Sequence, residues 1–267
     1  MIGSISGLTL PTYTYNSGTY TFALDGVNKT GALLSGELSG NIVIDPGTLT
    51  DNQYMELDLN GVTITSSSAA PIYYKSEESK VVVKAQKGTT NTLTYSGTST
   101  KLASILSENN IEIGGKGTLN LVSGGHGVKG DDITLSSATA ISIDAGNDGI
   151  HGHSLIASAF TGTLAMGTIA SQAFDINDVD DTALTYEGSI AFLPATSTDV
   201  ASITIASCAN VFQIDNSFTV SAGVSIVATT VTGLVIENLN PSSIDLTVDG
   251  SFTANGTAVL TQTIAGK

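Results

Sequence analysis

Aspartates are concentrated in one stretch of the chain, where carboxylates can hold a cation. The set comprises Asp131, Asp132, Asp144, Asp148, Asp175, Asp178, Asp180 and Asp181. Two carboxylates about 4 Å apart repel by about 4 kcal/mol at an effective dielectric of 20. A bound cation relieves this repulsion, and Ca²⁺ prefers oxygen ligands. We predict that Ca²⁺ binds among Asp131, Asp132, Asp148, Asp175, Asp178, Asp180 and Asp181, with solvated turn aspartates as the alternative.

Histidines lie between these aspartates in the sequence. His151 and His153 are two residues apart, so they project to one side of a strand. With Asp131 from the preceding repeat they can bind a transition metal, bind sugar hydroxyls, or line a polar groove. His126 is expected to stack near Asp148.

A lysine and several neutral polar residues complete the predicted ligand-binding set. Lys129 can pair with an anionic ligand. Beside bound Ca²⁺ it can also remove the proton next to a uronate carboxylate, which is lyase chemistry. Tyr73 offers a ring that can stack on a sugar, and Asn177 offers an amide. The sequence leaves open whether Lys129 is a base, a ligand or a structural residue.

A repeat of about 22 residues must position these side chains. Apolar residues recur at equivalent positions of successive copies, as Ile111, Ile133 and Leu155 do at steps of 22 residues. Within each copy they alternate with polar residues. Alternation is typical of β-strands, and a fixed period near 22 indicates a solenoid. The leucine-rich repeat has a similar period, but its signature is missing. We therefore predict an all-β chain that forms a single-stranded parallel β-helix.

Stacked turns place equivalent residues directly above one another, about 4.8 Å apart. If Val128, Ile150 and Phe174 point inward, the residues that follow them form an outward column. That column consists of Lys129, His151 and Asp175, and it extends to Tyr73 in one direction and Gln213 in the other. A second outward column is predicted two residues further on, comprising Asp131, His153, Asn177 and Asp215.

The chain has 267 residues and a formal net charge of −15. Such acidity disfavours nucleic acid and anionic membranes as partners, and no apolar run is long enough to span a bilayer. We predict an N-terminal cap with the first strands in 1–40 and a β-helix in 41–267, with insertions near 88–101 and 188–199. Residues 1–30 show no signal peptide, so either it was removed or the protein leaves the cell another way.

Three segments carry a resemblance to a known family. They are DLNGVTITSSSAAPIYYKSEESKVVVKAQKGTTNTLT, ILSENNIEIGGKGTLNLVSGGHGVKGDDITL and IDAGNDGIHGHSLIAS. The chain resembles bacterial surface or secreted carbohydrate-binding-domain proteins. The resemblance implies a right-handed parallel β-helix akin to polysaccharide lyases, without established cleavage, and an association with Ca²⁺ and acidic cell-wall sugars. Asp148-Gly149-Ile150 and Asp131-Asp132 keep the family pattern, whereas His126 stands in place of an acid.

Three functions follow from these observations. The first is non-catalytic, Ca²⁺-assisted binding of a cell-wall polysaccharide. The ligand would be either cellulose or an acidic polysaccharide such as polygalacturonate. The protein would be secreted or displayed on the cell surface, as a monomer or weak oligomer. The second is a Ca²⁺-dependent uronate lyase with Lys129 as its base. The third is a structural surface fibre or phage appendage.

Overall fold

The structure is a computed structural model that describes residues 1–24, 29–46, 54–76, 79–177, 186–194, 201–240 and 244–255. The regular elements in these ranges are strands. None of these segments forms a helix of the length and hydrophobicity that a bilayer span requires.

The strands are short and follow one another closely along the chain. The first nine are β1 (Ile2–Gly3), β2 (Thr12–Asn16), β3 (Thr19–Ala23), β4 (Lys29–Ser39), β5 (Asn41–Ile44), β6 (Tyr54–Ser66), β7 (Ile72–Tyr74), β8 (Lys80–Ala85) and β9 (Thr90–Tyr95). The next nine are β10 (Ala103–Ser107), β11 (Asn110–Gly115), β12 (Thr118–Ser123), β13 (His126–Lys129), β14 (Asp132–Ser137), β15 (Ala140–Ala145), β16 (Ile150–Gly152), β17 (Ser154–Phe160) and β18 (Thr163–Ile169). The last nine are β19 (Gln172–Ile176), β20 (Ser189–Leu193), β21 (Ala201–Cys208), β22 (Asn210–Ile214), β23 (Ser217–Val220), β24 (Val224–Val231), β25 (Ile236–Asn238), β26 (Asp245–Val248) and β27 (Ser251–Ala254).

These strands coil into a parallel β-helix, as the sequence predicts. Each regular turn gives one strand to a ten-stranded sheet, which we call the front sheet, and two strands to a 17-stranded sheet that covers the other faces. The front sheet has the order β2-β3-β5-β7-β10-β13-β16-β19-β22-β25. Its pairings are parallel from β3 onward, and the antiparallel β2–β3 and β1–β4 pairs lie at the N-terminal end.

The predicted stacking register is confirmed on every face. On the front sheet Val128 pairs with Ile150, and Ile150 with Phe174. On the other faces the pairings Ile111–Ile133–Leu155 and Leu119–Ile141–Leu164 are as expected. Since residues alternate in a strand, this register also fixes which side chains face outward.

The core is a set of apolar rows that run along the axis of the coil. In the front-sheet row, Phe174 stacks on Phe212 with ring centroids 4.9 Å apart and an interplanar angle of 14°. Both rings are fully buried. Each such side chain contributes about 1.5–3 kcal/mol through burial, and each turn needs its neighbours to complete that burial.

Each of the two segments predicted as insertions contains a strand of the coil. The segment 88–101 contains β9, which pairs in parallel with β6 and β12, and the segment 188–199 contains β20, which pairs with β17 and β23. The extra length of the first turn therefore lies outside β9, and part of it is the corner 96–102, which overlaps the predicted segment. Residues 195–199 of the second segment lie outside the described residues. Counting from one inward residue to the next reveals that a turn is long, but it cannot show which corner holds the additional residues.

Asp215 is also an exception to the predicted outward column, because it is fully buried. The strand β22 ends at Ile214, so strict alternation no longer applies to the next residue. The carboxylate packs close to the backbone of Gly188 instead.

Candidate ligand-binding groove on the front sheet

A column of outward side chains runs along the front sheet. The backbone pairings align Tyr73 with Leu106, Leu106 with Lys129, Lys129 with His151, His151 with Asp175, and Asp175 with Gln213. The predicted column is therefore confirmed, with Leu106 inserted between Tyr73 and Lys129. Charged and polar groups from consecutive turns are brought together although they are more than 20 residues apart in sequence.

Two histidines and two aspartates form a network at the centre of this column. Nδ1 of His126 lies 3.0 Å from Oδ2 of Asp148, and Nδ1 of His151 lies 3.5 Å from the same oxygen. His151 Nδ1 is also 2.8 Å from Oδ2 of Asp175. The two imidazole rings face each other with centroids 4.5 Å apart. His126 and Asp148 are buried, whereas His151 retains an exposed edge.

The carboxylates govern the protonation of this network. Burial alone would lower the pKa of His151, but Asp148 and Asp175 outweigh it and raise that pKa to about 9. Burial alone would raise the pKa of Asp148, yet the two imidazoles and the backbone N–H of Gln172 hold it well below its usual range. Asp148 is therefore an anion at neutral pH.

Glycines allow the network to form by letting consecutive turns approach closely. Gly127 follows His126, and Gly149 follows Asp148. A Cβ atom on Gly127 would lie 2.6 Å from the carbonyl oxygen of Gly149, and one on Gly149 would lie 2.6 Å from that of Ala173. Side chains at these positions would push the turns apart, so the glycines set the close spacing of His126 and Asp148.

An open groove of about 600 Å³ lies over the network. Its lining includes Thr100, Lys101, His126, Lys129, Asn147, Asp148, His151, Gln172 and Asp175. Lys75, Lys80 and Lys84 pair with carboxylates at 2.7 to 3.1 Å. By contrast, the structure pairs neither Lys101 nor Lys129 with any carboxylate in the ranges that it describes. The two lysines are thus available to an anionic ligand.

A second cluster lies at the neighbouring corner of the coil. His153 Nδ1 is 3.6 Å from both Asp131 Oδ1 and Asp132 Oδ1. Asp132 also accepts a hydrogen bond of 2.6 Å from the Ser154 hydroxyl. The three residues predicted to share one metal site, His151, His153 and Asp131, therefore lie in two separate clusters. His151 is grouped with His126 and Asp148, whereas His153 is grouped with Asp131 and Asp132.

The remaining predicted ligand residues flank the groove. Asn177 donates from its side-chain amide to Asp175 and lies 3.5 Å from Gln213, so it joins the first column. The Tyr73 hydroxyl donates to Glu108, and partial burial together with that carboxylate raises the pKa of Tyr73 to about 12. Asp178, Asp180 and Asp181 lie outside the described residues, so their part in a metal site stays a prediction.

The carboxylates differ in how well they suit Ca²⁺, which needs six to eight oxygen ligands. Asp148 is engaged by two imidazoles and by the Gln172 N–H at 3.1 Å, and Asp175 is engaged by His151 and Asn177. These surroundings are rich in nitrogen and do not fit Ca²⁺. Asp131 and Asp132 are about half exposed and present carboxylate oxygens at a chain corner, which fits Ca²⁺ better.

Comparison with known proteins agrees with this architecture. Residues 26–233 match the family described as carbohydrate-binding domain-containing protein. The chain belongs to this family. No curated protein matches the sequence.

A solved structure shares the fold of this carbohydrate-binding domain-containing chain. It is described as a polysaccharide lyase-like protein from C. thermocellum, in a gadolinium derivative. The two chains are 17% identical, the match covers 94% of each, and the TM-score is 0.68. At this identity the similarity establishes the shared β-helix.

Sequence reasoning missed several groove residues. Lys101 and Asn147 lie in corners, where the repeat gives no register. Gln172, however, lies two residues before Phe174, as Asp148 lies two residues before Ile150. The stacking of His126, Asp148 and Gln172 on consecutive turns could therefore have been predicted from the same repeat.

Proposed function

We propose that this carbohydrate-binding domain-containing chain binds an acidic cell-wall polysaccharide along the groove of the front sheet, without cleaving it. The observation that carries the proposal is the position of Lys101 and Lys129, which line the groove without pairing with a described carboxylate. In a chain with a net charge of −15, such cations stand out as partners for uronate carboxylates.

The shape of the surface suits a linear polymer. The outward column repeats at the spacing of the turns, about 4.8 Å, so the turns from Lys129 to Gln213 each offer a polar side chain to a ligand lying along the axis. Gln172 and Asn147 add amides that can bond sugar hydroxyls, and Tyr73 offers a half-buried ring further along the column. Membership of a carbohydrate-binding family supports the same ligand class.

Ca²⁺ assistance is part of the proposal. Asp131 and Asp132 would hold the ion at their corner, with Asp178, Asp180 and Asp181 as predicted additional ligands. When bound, Ca²⁺ supplies a positive charge that can bridge a protein carboxylate and a uronate carboxylate. A cell-wall ligand also implies secretion or surface display, and antibody labelling of intact cells would test that.

Titration calorimetry with polygalacturonate tests the proposal. We expect the unmodified chain to bind it, and Lys129→Ala to weaken binding about tenfold, because a charge-assisted contact of about 1.4 kcal/mol is lost. Lys80→Ala is the matched control, since Lys80 lies on β8 in the other sheet and pairs with Glu112. It should bind as the unmodified chain does. EDTA should weaken binding in all three.

Four results would overturn the proposal. The first is equal affinity of the unmodified chain and Lys129→Ala for polygalacturonate, and the second is tighter binding to cellulose than to polygalacturonate. The third is release of an unsaturated, ultraviolet-absorbing product by the unmodified chain, lost in Lys129→Ala, which would assign a lyase instead. The fourth is failure to bind any polysaccharide, which together with multimers in solution would favour a structural fibre.

A further inference from the structure

The His126–Asp148–His151 cluster holds a buried nitrogen that lacks a hydrogen-bond partner. Among the residues that the structure describes, Nδ1 of His126 accepts or donates no hydrogen bond of good geometry, although Asp148 Oδ2 is only 3.0 Å away. His126 is 2% exposed, so water does not reach this atom freely. A polar atom in that position calls for a partner that the side chains do not supply.

The other nitrogen of His126 determines what that partner can be. Nε2 lies 2.6 Å from the carbonyl oxygen of Thr100, which can only accept, so Nε2 carries the hydrogen. The side-chain amide nitrogen of Asn147 can only donate, and at 3.4 Å from Nε2 it does not compete with the carbonyl oxygen for that atom. In the protonated ring Nδ1 also carries a hydrogen and faces the Asp148 anion as an ion pair. In the neutral ring Nδ1 instead presents a lone pair toward the carboxylate oxygen, and a cation that replaces the proton would satisfy both.

The donor set indicates which cation. Nδ1 of His126, Nδ1 of His151 and an oxygen of Asp148 all lie within 4.8 Å of one another. Metal–ligand bonds of about 2.0–2.2 Å in a tetrahedron separate the ligand atoms by about 3.4 Å, close to the 3.0 and 3.5 Å seen here. Two imidazoles and one carboxylate suit Zn²⁺ or a similar transition metal rather than Ca²⁺.

We infer that His126, Asp148 and His151 form a transition-metal site of the Zn²⁺ type at the base of the groove. The Thr100 carbonyl orients His126 through its second nitrogen, as outer partners of metal-bound histidines usually do. Asp175 Oδ2 lies 2.8 Å from the same Nδ1 of His151, so when a metal replaces the hydrogen on that nitrogen, Asp175 is placed to supply a further oxygen. His151 lines the groove and is partly exposed, so water or a ligand could reach a bound ion from that side.

The site does not depend on polysaccharide binding, so it is tested with the metal alone. The full chain is dialysed against EDTA, freed of the chelator and titrated with ZnCl₂ in the calorimeter. We expect one tight Zn²⁺ equivalent per chain and little competition from a large excess of Ca²⁺. Co²⁺ in place of Zn²⁺ should give the visible absorption of tetrahedral cobalt, with imidazole and carboxylate ligands.

The three histidines of the chain provide a matched series. His126→Gln and His151→Gln should each reduce Zn²⁺ affinity by at least about tenfold. His153→Gln, which alters the Asp131–Asp132 corner, should leave it unchanged. Circular dichroism melting checks that each variant folds. Because His126 is buried, NMR of the imidazole nitrogens in the unmodified chain provides a second measurement. There, Zn²⁺ should shift Nδ1 of His126 and His151 but not the ring of His153.

Several outcomes would overturn the inference. Absence of Zn²⁺ binding by the unmodified chain would mean that the cluster is a histidine–aspartate ion-pair network and nothing more. Loss of binding in His153→Gln alone would place the metal at the Asp131–Asp132 corner. Unchanged affinity in folded His151→Gln, or imidazole signals of His126 that do not respond to Zn²⁺, would likewise contradict it.

Discussion

His126 and Asp148 come from consecutive turns of the coil and meet below the surface, with Nδ1 of the imidazole 3.0 Å from Oδ2 of the carboxylate. Each lies two residues before an inward apolar residue, Val128 or Ile150, and these two are paired in register. The repeat that builds the core therefore also builds the site, because a residue fixed relative to one row is fixed relative to its neighbours.

Asp148→Asn should destabilise the fold. The substitution removes the anion that lies beside both His126 and His151, so the two imidazoles lose its electrostatic stabilisation. We expect the free energy of unfolding to fall by about 3 kcal/mol at pH 7, as measured by urea denaturation. Asp131→Asn is the control, since Asp131 is about half exposed and 3.6 Å from His153. A loss below about 1 kcal/mol is expected there, and equal losses in the two variants would contradict the assignment.

Gly149→Ala should separate the turns at the site. The new methyl group would lie 2.6 Å from the carbonyl oxygen of Ala173 and 2.9 Å from Sδ of Met166, and the backbone oxygen cannot easily move. We expect a loss of about 1–3 kcal/mol in thermal or urea unfolding. Gly3→Ala, whose methyl group would find its nearest atom at an ordinary 3.7 Å, serves as control and should change little. Full stability in Gly149→Ala would show that close approach is not required.

Asp58→Asn should stabilise the protein at neutral pH. Burial first, and then the neighbouring Glu56, raise the pKa of Asp58 from 3.8 to about 6, against the opposing effect of Lys84. Between about pH 4 and 6 the folded state keeps a proton that the unfolded state has lost. The free energy of unfolding therefore decreases as pH rises through this window, and the penalty is complete above it.

The asparagine variant removes that penalty. We expect it to be more stable than the unmodified chain by about 1–3 kcal/mol at pH 7 and nearly equal to it at pH 4. Urea denaturation at several pH values measures the difference. Asp45→Asn removes a surface pair with Lys75 and should lose at most about 1 kcal/mol at pH 7. A variant that is less stable than the unmodified chain at pH 7 would show that the Asp58 carboxylate is favourable there.

Phe212→Ala should cost about 3–5 kcal/mol, because it leaves a cavity where the ring now packs. The ring stacks on Phe174 and also contacts Phe218 and Phe252, with centroids 4.6 and 5.7 Å away. Calorimetric unfolding should show a lower melting temperature. Leu246→Ala, at a side chain that is 44% exposed, is expected to lose less than about 1 kcal/mol. Similar losses at both positions would mean that the buried aromatic row contributes no more to the free energy of unfolding than an exposed leucine does.

The sequence alone determined the coil and its register. Strand alternation has a period of two and the turns repeat about every 22 residues, so inward rows such as Val128, Ile150 and Phe174 follow from counting. The outward column of Lys129, His151 and Asp175 follows in the same way, because parallel pairing aligns equivalent residues. The same spacing recurs in successive turns, and for that reason it can be recognised in the sequence.

Only the tertiary structure decided what happens at the corners, where no period applies. It brought Lys101 to the groove, separated Asp131 from Asp148, buried Asp215 after the end of β22, and placed β9 and β20 within the segments predicted as insertions. Side-chain direction at a corner depends on local packing and hydrogen bonds rather than on alternation. For that reason the sequence could show that aspartates are concentrated, whereas only the tertiary structure shows that two imidazoles lie beside Asp148.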